Sequence, residues 1–173
     1  MKILCTGNPN SAAKQTIASG VRQLFPTADF AHPGTGYDLK FSTPDSRDFF
    51  KSQIPEYDVF LNCSYVNQHE QLTFAYYSFM HCGKPNYVIN IGSIVEYEGI
   101  LTENWQYRID KLMLRDTSMR FCSPEFRSTS ITCYGINDGT KHPSGLRVSQ
   151  IAQTIKWVLE QEFVIPILAI TND

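Results

Sequence analysis

Hydrophobic positions along the chain follow two patterns that alternate with each other. Short runs that are almost continuously apolar predict strands buried on both faces, as is typical of a parallel sheet. The predicted strands are Lys2–Thr6, Asp29–Ala31, Tyr37–Lys40, Asp58–Ser64, Tyr87–Ser93, Thr129–Tyr134 and Val164–Ile170.

The stretches between these runs have the three-to-four-residue apolar spacing of helices. The predicted helices are Ser11–Phe25, Pro44–Ile54, Asn67–Cys82, Glu103–Phe121 and Ser149–Gln161. Thr43 before Pro44 predicts an N-cap followed by proline at the first helical position. Strands that alternate with helices predict a doubly wound α/β fold, with a mostly parallel sheet and helices on both of its faces. We assign residues 1–173 to a single domain.

Composition narrows the class of protein. The 173 residues are 42% hydrophobic and 18% charged, as expected for a globular chain, and the formal net charge is −2. This charge argues against nucleic acid or an anionic membrane as the main partner. We also expect no membrane span, because no apolar run approaches the roughly 18 residues that a span needs.

The cysteines and the amino-terminal residues indicate a cytoplasmic protein. Five cysteines without a Cys-x-x-Cys pair favour reduced thiols. The apolar stretch at the start is too short for a signal peptide, because Gly7, Asn8 and Pro9 interrupt it. His69, His81 and Cys82 match no common metal-site spacing, and we expect no metal.

The stretch WQYRIDKLML, residues 105–114, places Tyr107 and Lys111 four positions apart. On a helix these side chains lie on one face, one turn from each other. A phenol with a pKa of about 10 exchanges protons poorly near neutral pH, and a nearby ammonium favours its ionised form. The pair is therefore either an acid/base with the cation that tunes it, or an ordinary helix tyrosine beside a solvated lysine.

The first turn, TGNPNSAAKQTI, follows the first predicted strand and precedes the first predicted helix. In a doubly wound sheet this turn is the usual phosphate cradle. Gly7 suits the tight turn, whereas Ser11 and Ala13 stand where further glycines are usual and carry a Cβ that restricts backbone approach. Phosphate binding and a simple capped helix start both fit this loop.

Five segments in the same order resemble the short-chain dehydrogenase/reductase family. They are the loop TGNPNSAA, the segment GYDLKF around Asp38, the strand YDVFLNCS, the strand end VINIGS, and YRIDK, which matches the family's Tyr-x-x-x-Lys fourteen residues after Ser93. The resemblance covers residues 2 to about 140 and again the last helix and strand. It implies a Rossmann-like fold, an NAD(P) cofactor and a small-molecule substrate.

The resemblance also implies roles for individual residues. Ser93 would hold the substrate oxygen, Tyr107 would be the acid/base, and Lys111 would tune it and hydrogen-bond the nicotinamide ribose. Asn67, the best match to the family's helix asparagine, would anchor a water near Lys111. The implied cofactor contacts, besides Tyr107 and Lys111, are Gly7, Asn8, Pro9, Asn10, Ser11, Asp38, Leu39, Asn62, Cys63 and Ser64, with Asp38 beside the adenine.

Several features depart from the family pattern and describe a trimmed member. The glycine loop lacks its second and third glycines, and the substrate-covering insertion is reduced to NDGTKHPSGLRV. NAD-selective proteins of this fold end the second strand with an acidic residue. Here His32 stands there, no arginine is near, and Lys14 is the nearest cation, so we lean to NADP over NAD.

These observations predict an NAD(P)-dependent oxidoreductase that interconverts a small alcohol and its ketone or aldehyde. One alternative is a non-catalytic dinucleotide-binding or sensor protein, favoured by the altered loop and the short cover. Another is an enzyme related to sugar-nucleotide epimerases, against which the short chain argues. The family resemblance also implies a homodimer or higher oligomer formed through the helices at 67–82 and 103–121.

Overall fold

A computed structural model describes residues 1–40, 43–82, 86–97, 105–140 and 142–172. Its strands are β1 (Ile3–Thr6), β2 (Asp29–Ala31), β3 (Val59–Asn62), β4 (Asn86–Ser93), β5 (Phe126–Cys133), β6 (Ile136–Asn137), β7 (Leu146–Arg147) and β8 (Ile167–Ile170). Its helices are α1 (Ile17–Leu24), α2 (Pro44–Gln53), α3 (Gln68–Met80), α4 (Trp105–Phe121) and α5 (Val148–Leu159).

Six strands form a parallel sheet in the order β2-β1-β3-β4-β5-β8. The chain runs outward from β1 to β2 and then returns to β3 on the other side of β1. The sheet therefore has its topological switch point between β1 and β3, where proteins of this architecture bind ligands. The predicted doubly wound α/β sheet is confirmed. β6 and β7, which the sequence analysis did not predict, form a separate parallel pair.

Side chains that alternate along each strand fill two hydrophobic cores, one on each face of the sheet. On β3, Val59 and Leu61 point into the core beneath α1 and α5, whereas Phe60 points into the core beneath α2, α3 and α4. Burial on both faces explains why the strands read as continuous apolar runs.

The predicted strand Tyr37–Lys40 is wrong. A short 3-10 turn at Pro33–Thr35 ends at Gly36, whose φ of +89° turns the chain away from the sheet. Tyr37 and Leu39 are nevertheless buried, with 9% and 5% exposure, because they pack into the α2–α3 core from a loop. These two apolar residues alternate with polar ones, and this alternation led to the incorrect prediction of a strand.

The other element boundaries differ from the predictions by a few residues, with one larger exception. The first helix begins at Ile17 instead of Ser11, because Thr16 caps it and Gln15 donates its N–H to the Asp138 carbonyl at 2.9 Å. Thr43 caps α2 as predicted, accepting from the Ser46 N–H at 3.2 Å. The predicted start of the fourth helix at Glu103 lies outside the described residues, and the described helix begins at Trp105.

Candidate functional site

The carboxyl ends of β1, β3 and β4 open onto a cavity of about 590 Å³, here called the large cavity. It extends from the amino-terminal end of α1 to Tyr107 and Lys111, which lie near the amino-terminal end of α4. Its lining is mostly apolar with a few polar groups, as in small-molecule sites. The lining residues are Thr6, Gly7, Asn8, Lys14–Ala18, Cys63–Tyr65, Ile91, Gly92, Tyr107, Lys111, Ile136 and Asp138.

Gly7 shapes the end of the large cavity beside α1. Its φ of +120° is a conformation that other residues rarely adopt, and an added Cβ would stand 3.3 Å from the Cβ of Ala18. The Gly7 N–H donates to the Ala31 carbonyl at 3.0 Å, which holds the turn against β2. This turn leaves backbone and the first turn of α1 facing the cavity, an arrangement that suits a phosphate group.

The cradle is built from different loop residues than the sequence analysis predicted. Gly7 and Asn8 line it, and its other wall is formed by residues 14–18 at the start of α1. Asn8 and Asn10 form a local turn in which the Asn10 N–H donates to Asn8 Oδ1 at 2.9 Å, and Pro9 is buried. Ser11 lines a separate groove. The late start of α1 moves these residues away from the cavity.

Lys14 lines the large cavity beside the cradle, and it is held by the loop after β6. Its Nζ lies 3.2 Å from Asp138 Oδ2, and both side chains line the large cavity. The sequence analysis noted Lys14 only as the nearest cation. Its position follows from the unpredicted loop at residues 11–16, which brings the lysine back over the helix end.

The last residue of β3 is buried in the core, and the two residues that follow it line the large cavity. Asn62 is fully buried and donates to the Gln68 carbonyl at 2.8 Å and to Asn90 Oδ1 at 2.9 Å, so it joins β3 to α3 and β4. Cys63 and Ser64 line the large cavity, and both of their N–H groups donate to Thr6 Oγ1 at 3.0 Å. Asn62 therefore supports the site without lining it.

Asp38 and Leu39 border a second cavity of about 460 Å³, here called the side cavity. Gly7, Asn8 and Ser64 line both cavities, so the two are neighbours across the first turn. An elongated ligand could extend from one into the other. The other residues of the side cavity are His32, Pro33, Gly34, Lys40 and Val66.

Tyr107 and Lys111 lie on one face of α4 at the opposite end of the large cavity. Lys111 is only 4% exposed and donates from Nζ to the Ile91 carbonyl at 2.8 Å and to Gln68 Oε1. Burial lowers the pKa of Lys111 to about 8. Burial also raises the pKa of Tyr107, and an interaction with the Ser93 side chain opposes that rise. Tyr107 therefore lies beside both Lys111 and Ser93.

Asn67 and Lys111 both line a small cavity of about 190 Å³, but the Asn67 side chain is bonded to a different part of the chain. It precedes α3 with a left-handed φ of +49°, and its Nδ2 donates to the carbonyls of Leu39 and Lys40 at 3.3 and 2.9 Å. Gln68, the next residue, contacts Lys111 instead and donates to the Asn62 carbonyl at 2.7 Å. The start of α3 one residue later than predicted turns Gln68 toward the sheet and Asn67 away from it.

Glu96 is a second residue that the sequence analysis missed. It lies on a 3-10 turn, Ile94–Tyr97, directly after β4 and is 3% exposed. Its Oε1 accepts from the Ser93 N–H at 2.8 Å, and its Oε2 lies 3.6 Å from Arg115 Nη1. An acidic residue three positions after the strand end in GSIVEY was the available signal.

Within the described residues, no group of three or more His, Cys, Asp or Glu side chains could hold a metal ion. The helices of the described part of the chain include none long and apolar enough to cross a membrane.

No protein-family model matches the chain, and no curated protein matches its sequence. Solved structures do match its fold. A short-chain dehydrogenase/reductase of the glucose/ribitol dehydrogenase type from Brucella melitensis has a TM-score of 0.71 at 12% identity, over 97% of this chain and 93% of that chain.

Two further structures match equally well. The 3-alpha-hydroxysteroid dehydrogenase from Pseudomonas sp. B-0831, complexed with NADH, has a TM-score of 0.74 at 11% identity, over 98% of this chain and 95% of that chain. The closed form of a serine dehydrogenase complexed with NADP+ has a TM-score of 0.71 at 14% identity, over 99% of this chain and 94% of that chain. This chain has the fold of the short-chain dehydrogenases/reductases.

Proposed function

We propose that this chain is a short-chain dehydrogenase/reductase, an NAD(P)-dependent oxidoreductase that interconverts a small alcohol and its ketone or aldehyde. The observation that carries the proposal is that Tyr107 and Lys111 line one end of the large cavity, with Ser93 beside Tyr107, while the Gly7 cradle lines the other end. These side chains come from β4 and α4 and occur in the order that the family motif requires.

The cavities fit a nicotinamide dinucleotide. Gly7 and the first turn of α1 would face the pyrophosphate, because backbone N–H groups at a helix start favour anions. Asp38 in the side cavity would lie near the adenine, and Lys111 near the nicotinamide ribose. Such a cofactor, when bound, supplies or accepts the hydride.

The residues of this chain would then handle the proton and the substrate oxygen. The Tyr107 phenol, whose pKa burial raises, stays protonated near neutral pH and can donate to a carbonyl oxygen. The Ser93 hydroxyl beside it would hold the same oxygen. Lys111 supplies a cation behind the phenol, and Gln68 holds that cation in place.

The side cavity supports the preference for NADP over NAD. His32 and Lys40 line this cavity, and both side chains can donate hydrogen bonds to a 2′-phosphate. Asp38 lies in the same cavity and would favour free ribose hydroxyls, so NAD remains the competing cofactor.

Two properties beyond the reaction complete the proposal. Exposed apolar side chains on α3 and α4, among them Tyr77, Trp105 and Ile109, favour a homodimer formed through these helices. All five cysteines are free thiols, which fits the reducing conditions of the cytoplasm.

Titration with NADPH and NADH tests the proposal, with nicotinamide fluorescence and thermal stability as readouts. A ligand present at a hundredfold excess over its Kd adds about 2.7 kcal/mol to the free energy of unfolding. Binding should be followed by a turnover screen of small aldehydes, ketones and alcohols. If neither dinucleotide binds below millimolar concentration, the proposal is wrong.

A non-catalytic dinucleotide-binding protein is the second candidate. Ser11 and Ala13 in place of glycines, and only 14 residues (134–147) between β5 and α5, favour it. This candidate predicts dinucleotide binding without turnover of any alcohol, ketone or aldehyde, which the same titration and screen would separate from the first.

A further inference from the structure

The end of β4 is built around the buried carboxylate of Glu96. Its side chain folds back under the strand, where Oε1 accepts from the Ser93 N–H at 2.8 Å. The other oxygen, Oε2, lies 3.5 Å from the Thr132 hydroxyl on β5 and 3.6 Å from Arg115 Nη1 on α4. The carboxylate therefore joins three elements that border the candidate site.

Gly92 provides the space for this carboxylate. A Cβ at Gly92 would stand 2.4 Å from Glu96 Oε1, a separation that packed atoms do not adopt. Any other residue at position 92 would push the carboxylate away from the Ser93 N–H. A glycine is therefore needed at position 92 to leave room for the Glu96 carboxylate. The family resemblance alone does not explain this glycine.

Charged and titratable groups surround Glu96 on two sides. From α4 it faces Lys111, Arg115 and Tyr107, and from β5 it faces Cys133. Burial raises the pKa of the Glu96 carboxyl, while the Ser93 N–H, Arg115 and Lys111 oppose the rise. Burying a carboxylate costs free energy unless it is paired, and here the Arg115 guanidinium and the Ser93 N–H pair it.

Glu96 and Lys111 act on each other through this arrangement. Burial lowers the pKa of Lys111, and the Glu96 carboxylate is the largest influence in the opposite direction. If the Glu96 carboxylate only had to be neutralised, Arg115 could do this at the protein surface. Glu96 is instead buried between the strand that carries Ser93 and the helix that carries Lys111, which indicates that it arranges both residues.

We propose that Glu96 is a positioning residue of the reaction, which fixes the strand end that carries Ser93 and supplies the negative charge that the buried Lys111 ammonium faces. This inference rests on the proposed function in that Ser93 and Lys111 are taken as catalytic residues. Glu96 is not among the residues that line the large cavity, so it would act through Ser93 and Lys111.

The direct test is an NMR titration of the lysine side chains, which requires no turnover. The Lys111 signal is assigned by its loss in Lys111→Arg, and its midpoint is compared in the original protein and Glu96→Gln. Glutamine keeps the size and the acceptor oxygen but removes the charge, so we expect the midpoint to fall by about one pH unit. The matched control, Glu125→Gln, removes an exposed glutamate and should leave the midpoint unchanged.

A second variant keeps the test decisive if Glu96→Gln does not fold. Gly92→Ala leaves the glutamate in place but displaces its carboxylate, and it should also lower the Lys111 midpoint. An unchanged midpoint in whichever variant folds would overturn the inference, whatever the protein catalyses. If the protein turns over a substrate, the alkaline limb of the kcat profile, where the Lys111 ammonium loses its proton, should shift in Glu96→Gln, and an unshifted limb would also overturn it. Absence of turnover would count against the proposed function alone.

Discussion

The Nζ atom of Lys111 lies 5.4 Å from the centre of the Tyr107 ring, over the face of the ring. One helical turn separates the two residues, so the Tyr-x-x-x-Lys spacing alone brings them together. The same ammonium is held from behind by Gln68 and the Ile91 carbonyl. The cation therefore lies over the face of the ring, and the hydroxyl group of Tyr107 stays accessible to Ser93 and to a ligand.

Tyr107→Phe should remove turnover and leave cofactor binding intact. The change deletes one oxygen and preserves the packing of the ring, so what disappears is the proton donor. Positioned acid/base groups contribute about a hundredfold to ten-thousandfold in rate, and kcat should fall by that factor. Steady-state kinetics and NADPH titration measure the two effects, with Tyr77→Phe on the exposed face of α3 as the control. A Tyr107→Phe protein as active as the original would show that the motif is an ordinary helix face.

Lys111→Met should change how stability depends on pH. The pKa of Lys111 is lowered from 10.5 to about 8, so between these values the unfolded chain binds more protons than the folded chain. The unfolding free energy of the original protein should therefore rise relative to that of Lys111→Met as the pH increases from about 8 to about 10.5. The slope is at most about 1.4 kcal/mol per pH unit. Urea denaturation of both proteins across this range measures it, and a pH-independent difference would contradict it.

The fold could be predicted because each element has a strong periodic signal. Strands such as β3 are buried at every position and apolar up to the final Asn62, and helices such as α5 carry a single apolar stripe. The strand prediction for Tyr37–Lys40 was wrong because burial of Tyr37 and Leu39 in a loop produces the same alternation of apolar and polar residues as a strand. Periodicity reports burial, and burial identifies a strand only when hydrogen bonding accompanies it.

The candidate site could be predicted where contacts are local in sequence. Tyr107 and Lys111 are joined by helix geometry, and the end of a strand places Ser93 at the sheet edge. Gln68 and Glu96 were missed because their roles depend on side-chain direction after the chain turns. A shift of one residue in the start of α3 decides whether Asn67 or Gln68 hydrogen-bonds to Lys111, and such boundaries are the least predictable part of a helix.

Gln68→Leu should lower turnover more than a substitution of its neighbour Asn67. Leucine cannot accept from Lys111 or donate to the Asn62 carbonyl, so buried polar groups lose their partner at a cost of about 1–3 kcal/mol in stability. Cofactor affinity should fall as well. Asn67→Gly keeps the left-handed backbone and should leave turnover unchanged, although it removes the bonds to Leu39 and Lys40. Equal losses of turnover in the two variants would contradict the assignment of Gln68.

Gly7→Val should abolish dinucleotide binding. Valine at a φ of +120° is strained, and its Cβ would press against Ala18 at the cradle. Gly36→Val is a matched control, because Gly36 also has a positive φ, but a Cβ added there would meet no other part of the chain within 4 Å, and Gly36 lines neither cavity. Each variant should lose on the order of 1–3 kcal/mol of stability from backbone strain. Only Gly7→Val should lose the thermal shift with NADPH, and retention of that shift would place the pyrophosphate elsewhere.

Ile109→Glu should convert a dimer into monomers. Trp105, Ile109 and Met113 are spaced four apart on α4 and are 54%, 40% and 47% exposed, so they form one apolar stripe that the folded chain leaves uncovered. A charge at the centre of that stripe would be buried in a paired interface and would oppose its formation. Trp157→Glu is the control, because Trp157 is 46% exposed on α5, which packs on the other face of the sheet. Light scattering at micromolar concentration should give a dimer mass for the original protein and for Trp157→Glu, and a monomer mass for Ile109→Glu. A monomer mass for the original protein would show that the stripe is left exposed and that this chain differs from the oligomers its fold resemblance implies.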